Sequence, residues 1–216
     1  MEGFFLSDKI LQILYLIPGI LAGFTFHEYS HALVADRLGD KTPRFQGRLT
    51  LNPLTHIDPM GFLMILIFKF GWAKPVEVNP NAFKNYYKDD LKVSIAGPIA
   101  NLVVAFVSAI LLGLFAKLAG SMNVSIAVYQ IIFYILLYSV SINCSLFVLN
   151  LIPIPGFDGF HVLRDLFPKF FYNISESLYR YQFVIMIIFL AGAARYIVGI
   201  PASFISDCML KIATIF

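Results

Sequence analysis

Charged residues are scarce in this chain of 216 residues: Asp, Glu, Lys and Arg together make up 13% of it, whereas an ordinary soluble domain contains about a quarter. Hydrophobic residues make up 59%, and the mean hydropathy is +0.78. This shortage of charge excludes a surface that faces water on all sides, so a large part of the chain is expected to have lipid as its solvent. The net charge of +3 is small, and no nucleic-acid partner is expected.

Cysteine is nearly absent as well. Cys144 and Cys208 match no metal-ligand spacing and are too few for a disulfide framework, so we expect both to pack as small apolar side chains. The chain also lacks internal repeats, low-complexity tracts and any segment long enough for a soluble accessory domain. We therefore expect residues 1–216 to form a single transmembrane domain.

Long apolar runs, by contrast, are frequent. A helical span needs about 20 residues, and four runs qualify: 10–35, 93–116, 126–152 and 182–200. A fifth run, 60–73, is shorter and carries Lys69, so we expect it to dip into the membrane and return, as part of a re-entrant segment at about 45–73. The tail 201–216 is mixed in polarity and is expected to lie along the interface. The pattern predicts an all-α polytopic membrane protein.

Positive charges are distributed unevenly between the predicted loops. If 60–73 returns to its starting side, the loops 36–59, 74–92 and 153–181 share one side and hold most of the lysines and arginines. They contain Arg37, Lys41, Arg44, Arg48, Lys74, Lys84, Lys88, Lys92, Arg164, Lys169 and Arg180. By the positive-inside rule this side is the cytoplasm. A full crossing by 60–73 would largely remove the bias, so a re-entrant segment is the better interpretation.

The most informative motif is H-E-x-x-H, formed by residues 27–31 at the end of the first span. On a helix, His27 and His31 share one face and can bind a single tetrahedral zinc ion. Glu28 can take a proton from water bound at the open position of that metal. A helix that carries buried polar residues without a function is the alternative, and it is costly because ionisable groups inside a membrane usually mark function.

A catalytic zinc ion normally has three protein ligands, and the best candidate for the third is Asp158. It lies in the irregular stretch NLIPIPGFDGFHVL, residues 150–163, directly after the span 126–152. Taken alone, an aspartate in an ordinary D-G turn is the more common explanation. With a re-entrant 60–73, however, the spans that carry or precede the three residues run in the same direction. His27, His31 and Asp158 are then expected to meet near the cytoplasmic ends of those spans.

Several stretches resemble the site-2 protease family of intramembrane zinc metallopeptidases. They are HEYSH at 27–31, AGPIAN at 96–101 and NLIPIPGFDG at 150–159, with weaker likeness at 47–61 and 71–83. The order of the segments resembles small bacterial and archaeal members without PDZ or CBS domains.

The resemblance implies a three-helix catalytic core, joined by a re-entrant segment and a C-terminal helix. It implies one zinc ion held by His27, His31 and Asp158, with Glu28 as the catalytic base. It also implies that Asn150 positions the substrate or stabilises the oxyanion. The family usually has a proline-leucine-like pair before the aspartate, whereas this chain has Gly156-Phe157.

Three further polar residues are weaker candidates. His56, just before 60–73, either reaches the active cavity or is an ordinary loop histidine. His161, three residues after Asp158, is a candidate for orienting a ligand. For Asn101 the family resemblance implies a side chain that faces the active site, whereas close helix packing through small residues such as Gly97 is the alternative.

The expected activity is hydrolysis of peptide bonds within or near transmembrane segments of membrane-protein substrates. The expected location is a prokaryotic cell membrane, crossed several times, with the active site toward the cytoplasm. The Gly- and Pro-rich stretch 44–60 is predicted to offer an edge strand to an extended substrate. A non-proteolytic metal-binding adaptor or sensor of the same fold is the main alternative. A transporter with an intramembrane proton relay is a second alternative, although the repeated halves of such proteins are missing.

Overall fold

The computed structural model describes residues 2–68, 71–121 and 124–216. Lys69, used above against a full crossing by 60–73, lies outside the described residues. The helices are α1 Glu2–Leu38, α2 Thr42–Phe45, α3 Pro53–His56, α4 Pro59–Phe68, α5 Tyr86–Ala119, α6 Ile126–Asn150, α7 Asp158–Leu166, α8 Pro168–Arg180, α9 Gln182–Ile188, α10 Ala194–Ile197 and α11 Gly199–Ala213. A 3₁₀ turn, Pro80–Ala82, precedes α5, and a π-helical turn, Phe189–Ala193, follows α9.

Within the residues that the structure describes, four helical stretches are long and apolar enough to cross a membrane: Ile10–Leu38, Tyr86–Ala119, Ile126–Asn150 and Gln182–Ala213. Each overlaps one of the four predicted spans, although the last continues to Ala213 and not only to residue 200, and the prediction of an all-α polytopic membrane protein is confirmed. The second stretch begins earlier than predicted because α5 continues through the polar residues 86–92, which the search for apolar runs left out.

Helices α1, α5 and α6 pack against one another. A Cβ atom on Gly19 would lie 2.8 Å from Cα of Ser139, and one on Gly23 would lie 2.6 Å from Oδ1 of Asn143. Only glycine permits this close approach of α1 to α6. The approach lets the amide of Asn143 donate a hydrogen bond to the Gly19 carbonyl at 3.1 Å. In the same way, Asn101 on α5 donates to the Gly23 carbonyl at 3.1 Å. Buried amides thus tie the three helices together.

The contacts along these helices give their directions. Tyr15 stacks on Tyr134 with ring centroids 5.5 Å apart, and Gly23 lies against Asn143, so α1 and α6 run parallel. Helix α5 runs against them, since His31 contacts Val93 and the earlier His27 contacts Asn101. Because α1 and α5 are antiparallel neighbours, the segment between them returns to the end of the bundle that it left.

The ends of that segment meet. Ile57 and Ala73 form an antiparallel bridge, and the Lys74 N–H donates to the His56 carbonyl at 2.9 Å. Helix α4 between them has 10 residues and therefore a length of about 15 Å, half the thickness of a hydrocarbon core.

The predicted edge strand at 44–60 is wrong for residues 44–56, which form the end of helix α2, the turns after it and helix α3. Only Ile57 of this stretch makes a β-type pair. The composition was misleading because glycine and proline are as frequent in tight turns as beside edge strands. A further non-helical stretch lies at 71–79, after α4.

The last candidate span is interrupted at Gly192, where the backbone leaves helical geometry. Beyond this point α11 packs on α5 and α6, with Ile205, Met209 and Leu210 against a buried cluster that includes fully buried Cys144. The prediction that 201–216 lies along the interface is therefore wrong for 201–213. The polar residues of that helix obscured its apolar contact face in the sequence.

Candidate metal centre and active site

The two histidines of H-E-x-x-H lie side by side on α1, as their spacing predicts. Their ring centroids are 4.6 Å apart, and both side chains are buried. The two Nε2 atoms point toward a common position and are 3.0 Å apart.

Helix α5 fixes the tautomer of each histidine. Nδ1 of His31 lies 2.7 Å from the backbone carbonyl of Val93, which can only accept, so Nδ1 carries the hydrogen. Nδ1 of His27 lies 2.8 Å from Oδ1 of Asn101. The Asn101 amide group donates to the Gly23 carbonyl and to Oδ1 of Asn143, which leaves its own oxygen to accept from His27. Each neutral imidazole therefore presents an Nε2 lone pair.

Asp158 completes the group at the first residue of α7. Its Oδ2 lies 3.1 Å from Nε2 of His27 and 3.3 Å from Nε2 of His31. This oxygen is buried and has no hydrogen-bond donor among the described residues. Three atoms that each present a lone pair thus converge with no hydrogen atom between them. These atoms repel one another unless they share a cation.

The spacing of the three atoms fits a zinc ion. A tetrahedral zinc ion with bonds of about 2.0–2.2 Å places its ligand atoms about 3.3–3.6 Å apart, and the observed separations of 3.0, 3.1 and 3.3 Å lie within a few tenths of an ångström of that range. Two imidazole nitrogens and a carboxylate oxygen form a donor set that suits zinc. The residues present therefore fit the metal that the motif predicts.

Gly97 belongs to the site, although the sequence indicated only a packing role. A Cβ atom at this position would lie 2.3 Å from Nε2 of His31 and 2.6 Å from Cε1 of His27. Gly97 therefore allows the backbone of α5 to lie directly against the two imidazole rings. The motif AGPIAN was the available signal, and it was read as close packing between helices.

Glu28 is buried beside the metal site, and its Oε2 accepts a hydrogen bond of 2.8 Å from the backbone N–H of Val76. Nothing in the sequence pattern identified Val76, because the contact joins α1 to the irregular segment 71–79. This hydrogen bond holds the carboxylate at the wall of the cavity that the histidines line.

That cavity has a volume of about 460 Å³. Its polar lining comprises His27, Glu28, His31, Asn101, Asn150, Asp158 and His161, and its apolar walls include Phe24, Trp72, Leu146, Leu149 and Phe157. Most of the predicted site residues thus border one space.

The weaker candidates differ in their placement. Asn150 borders the cavity, but its amide donates to the Leu146 carbonyl of its own helix at 3.0 Å. His161 borders the cavity and is exposed. Asn101 faces the site and acts on His27. His56 does not border the cavity: it is fully buried, and its Nε2 donates to the Thr50 carbonyl at 2.8 Å, which favours a structural role in its loop.

The turn between α6 and α7 delivers Asp158. Gly156 has a φ of 102°, a conformation that strongly favours glycine. This backbone conformation explains why the chain has glycine here, where the family usually has a proline-leucine-like pair. A Cβ atom on Gly159 would lie 2.3 Å from the Leu151 carbonyl oxygen, which shows how tightly the start of α7 packs on the end of α6.

Helix α7 is also docked on α5 by buried charges. Nε of Arg164 donates to Oδ1 of Asp165 at 2.8 Å, and its guanidinium also pairs with Asp90 of α5. The guanidinium carbon lies 5.6 Å from the Tyr86 ring centroid. Burial raises the pKa of the Asp165 carboxyl above its usual value, while the neighbouring guanidinium opposes this rise. The helix that orients both histidines therefore also holds the helix that presents Asp158.

A buried two-histidine, one-carboxylate group with an adjacent glutamate, inside a bundle of apolar helices, defines a membrane-embedded site of the H-E-x-x-H metal-binding class. The chain belongs to peptidase family M50, the site-2 protease family, whose model matches residues 15–193.

Similar proteins occur in bacteria and archaea. YwhC of Bacillus subtilis is 35% identical over 209 residues, which cover 96% of this chain and 94% of the relative. MJ0611 of Methanocaldococcus jannaschii is 30% identical over 170 residues, 75% of this chain and 77% of the relative. Rip2 of Mycolicibacterium smegmatis is 33% identical over 155 residues, 69% of this chain and 56% of the relative. Each carries the name "Putative zinc metalloprotease". No solved structure gives a significant match.

Proposed function

We propose that this chain is an intramembrane zinc metallopeptidase that hydrolyses peptide bonds within or near the transmembrane segments of membrane-protein substrates. The observation that carries the proposal is the convergence of the two Nε2 atoms and Oδ2 of Asp158, with Glu28 beside them in one cavity. Membership of family M50 and the names of the relatives support the same activity.

Each polar group has a role in this chemistry. A zinc ion held by His27, His31 and Asp158 would lower the pKa of its bound water and polarise the scissile carbonyl. Glu28 accepts a proton from the attacking water and passes it to the leaving amine. Asn150, at the cavity wall, positions the substrate or donates to the developing oxyanion once its amide turns away from Leu146.

The arrangement in the membrane is part of the proposal. The whole chain 1–216 acts as a single transmembrane unit, and the segment around α4 dips into the bilayer and returns. The antiparallel packing of α1 and α5 and the pairing of Ile57 with Ala73 support this return. The crowded positive charges favour an orientation with the metal site toward the cytoplasm of a prokaryotic cell, the side from which water would enter.

The test is Glu28→Gln in protein purified in detergent, with metal analysis and a panel of single-span substrates. The expected result is a loss of cleavage of at least about 10²–10⁴-fold with the metal retained, because the variant keeps the three ligands and lacks the base. Glu77→Gln is the matched control, since Glu77 is exposed and pairs with Gln46. Absence of cleavage by the unaltered protein, with metal bound, would support the adaptor or sensor instead.

A further inference from the structure

Helix α8 has three distinct faces. Phe171 is buried against Phe160 of α7, with ring centroids 4.8 Å apart. A second face is apolar and carries Phe170, which is 55% exposed, followed at i+4 and i+8 by half-buried residues 174 and 178. A third face carries Lys169, Glu176 and Arg180. Such a pattern is typical of helices that lie in the plane of a membrane interface.

Large apolar side chains are exposed along this whole region. Those more than half exposed are Leu166, Phe167, Phe170, Tyr172, Tyr179 and Tyr181. Five of these six are aromatic, the type that is enriched at the boundary between lipid and water.

The connectivity puts α8 at the edge of the bilayer. Helix α6 ends at Asn150, and the next candidate span begins at Gln182, one residue after the end of α8 at Arg180. A helix that ends one residue before a membrane span cannot lie far from the membrane surface. The exposed apolar face of α8 is therefore within reach of lipid.

Basic residues lie on α8 and at the start of α5. Arg180 is paired with Glu176 at 2.8 Å, but Lys169 has no salt bridge within the described residues. The start of α5, which α7 contacts through Arg164, adds Lys84 and Lys88, for which the described chain likewise offers no ion pair. An excess of free positive charge beside an interfacial helix favours anionic headgroups.

We propose that α8, together with Lys84, Lys88 and Lys169, is an interfacial anchor that binds anionic lipid headgroups and thereby holds α7 in the position that presents Asp158. The link to the metal site is Phe160, two residues after Asp158, which is buried between Phe171 and Tyr179 of α8 at 4.8 and 5.2 Å. A change in the depth of α8 is transmitted directly to the first turn of α7.

The first test measures depth. Single cysteines replace Phe170 or Glu176 in a Cys208→Ser background, since Cys144 is buried, and each is labelled with a fluorophore in vesicles. Acyl-chain nitroxide quenchers are expected to act severalfold more strongly on the label at 170 than on the label at 176. Equal quenching overturns the proposal. Shielding of position 170 from lipid and aqueous quenchers alike indicates a protein occupant and also overturns it.

The second test measures charge. The protein is reconstituted either in vesicles of phosphatidylcholine alone or in anionic vesicles, which also contain phosphatidylglycerol. The number of phosphatidylglycerol molecules retained by the protein in native mass spectrometry is expected to fall in Lys88→Gln/Lys169→Gln. It should not change in Lys117→Gln/Lys211→Gln, which alters exposed lysines on other parts of α5 and α11. Equal losses in both double variants overturn the lipid assignment.

The third test addresses the link to Asp158. Release of zinc to a chelator, and protease cleavage within 151–157 of the metal-free protein, are both expected to be severalfold slower in the anionic vesicles. The Lys88→Gln/Lys169→Gln variant should lose this difference. Rates that do not depend on lipid charge overturn the link, and the protease measurement gives this answer without any catalytic activity.

Discussion

Two hydrogen bonds from α5 decide which nitrogen each histidine offers. His27 relies on the side chain of Asn101, and His31 relies on the backbone carbonyl of Val93. Such outer partners fix the tautomer and raise the basicity of a ligand. We therefore expect the metal affinity of the proposed site to depend on residues that do not bind the metal themselves.

Asn101→Ala removes the acceptor for His27 Nδ1–H and frees the imidazole to take the other tautomer. We expect zinc affinity to fall by about 10–100-fold, measured by competition with a chromophoric chelator. Asn173→Ala, on an exposed position of α8, should leave the affinity unchanged. An unchanged affinity in Asn101→Ala would show that the tautomer is set elsewhere.

Gly97→Ala brings two effects of opposite sign. Alanine favours a helix over glycine by about 1 kcal/mol, but its Cβ would lie 2.3 Å from Nε2 of His31. We expect zinc binding to be lost while helix content by circular dichroism is kept. Gly120→Ala is the control, because nothing lies within 4 Å of a Cβ there. Full zinc occupancy in Gly97→Ala would contradict the described approach of α5.

At the scale of elements, the short helix α7 is the part of the site that is held in place least directly. It follows an irregular turn and presents Asp158 from its first residue. Its fixation depends on Arg164, whose guanidinium pairs with the buried carboxylates of Asp90 and Asp165. Removing one member of such a group leaves uncompensated buried charge.

Arg164→Met is therefore expected to lower the free energy of unfolding by about 3–5 kcal/mol and to weaken zinc binding, because α7 loses its attachment to α5. Thermal unfolding in detergent and chelator competition measure the two effects. Arg180→Met breaks an exposed pair with Glu176 and should cost only about 0–1 kcal/mol. Similar costs in both variants would show that the Arg164 group contributes little to the fixation of α7.

The sequence predicted those features of the fold and of the site that depend on a local pattern of residues. The spacing of His27 and His31 and the lengths of the four spans are local, and the structure agrees with them. The approach of Asp158 followed from topology, since parallel α1 and α6 bring their ends together. Contacts of Val76 with Glu28 and of Arg164 with Asp90 join segments far apart in the chain, and no periodicity in the sequence indicates such pairs.

At the scale of the whole molecule, the parallel course of α1 and α6 requires that the chain between α1 and α5 does not change sides. Gln46 and Glu77 illustrate this, because the amide of Gln46 donates to Oε2 of Glu77 at 2.6 Å across the α4 segment. Both lie on the side of the metal site, and Ser121, after the end of α5, lies at the opposite end.

Single cysteines at 46, 77 and 121 in the Cys208→Ser background test this topology. We expect a membrane-impermeant maleimide to label positions 46 and 77 from the cytoplasmic face in inverted vesicles, and position 121 only from the opposite face in spheroplasts. Labelling of 46 and 77 from different faces would mean that α4 crosses the bilayer and would remove the basis for the proposed site.

The unequal support of the two histidines has a consequence for how the protein tolerates change over generations. The main-chain oxygen at position 93 is present whichever amino acid stands there, so any residue that packs well can still accept the hydrogen bond from His31. The side-chain amide at position 101 is lost in a single amino-acid replacement. Mutations that weaken metal binding are therefore expected at the partner of His27 far more often than at the partner of His31.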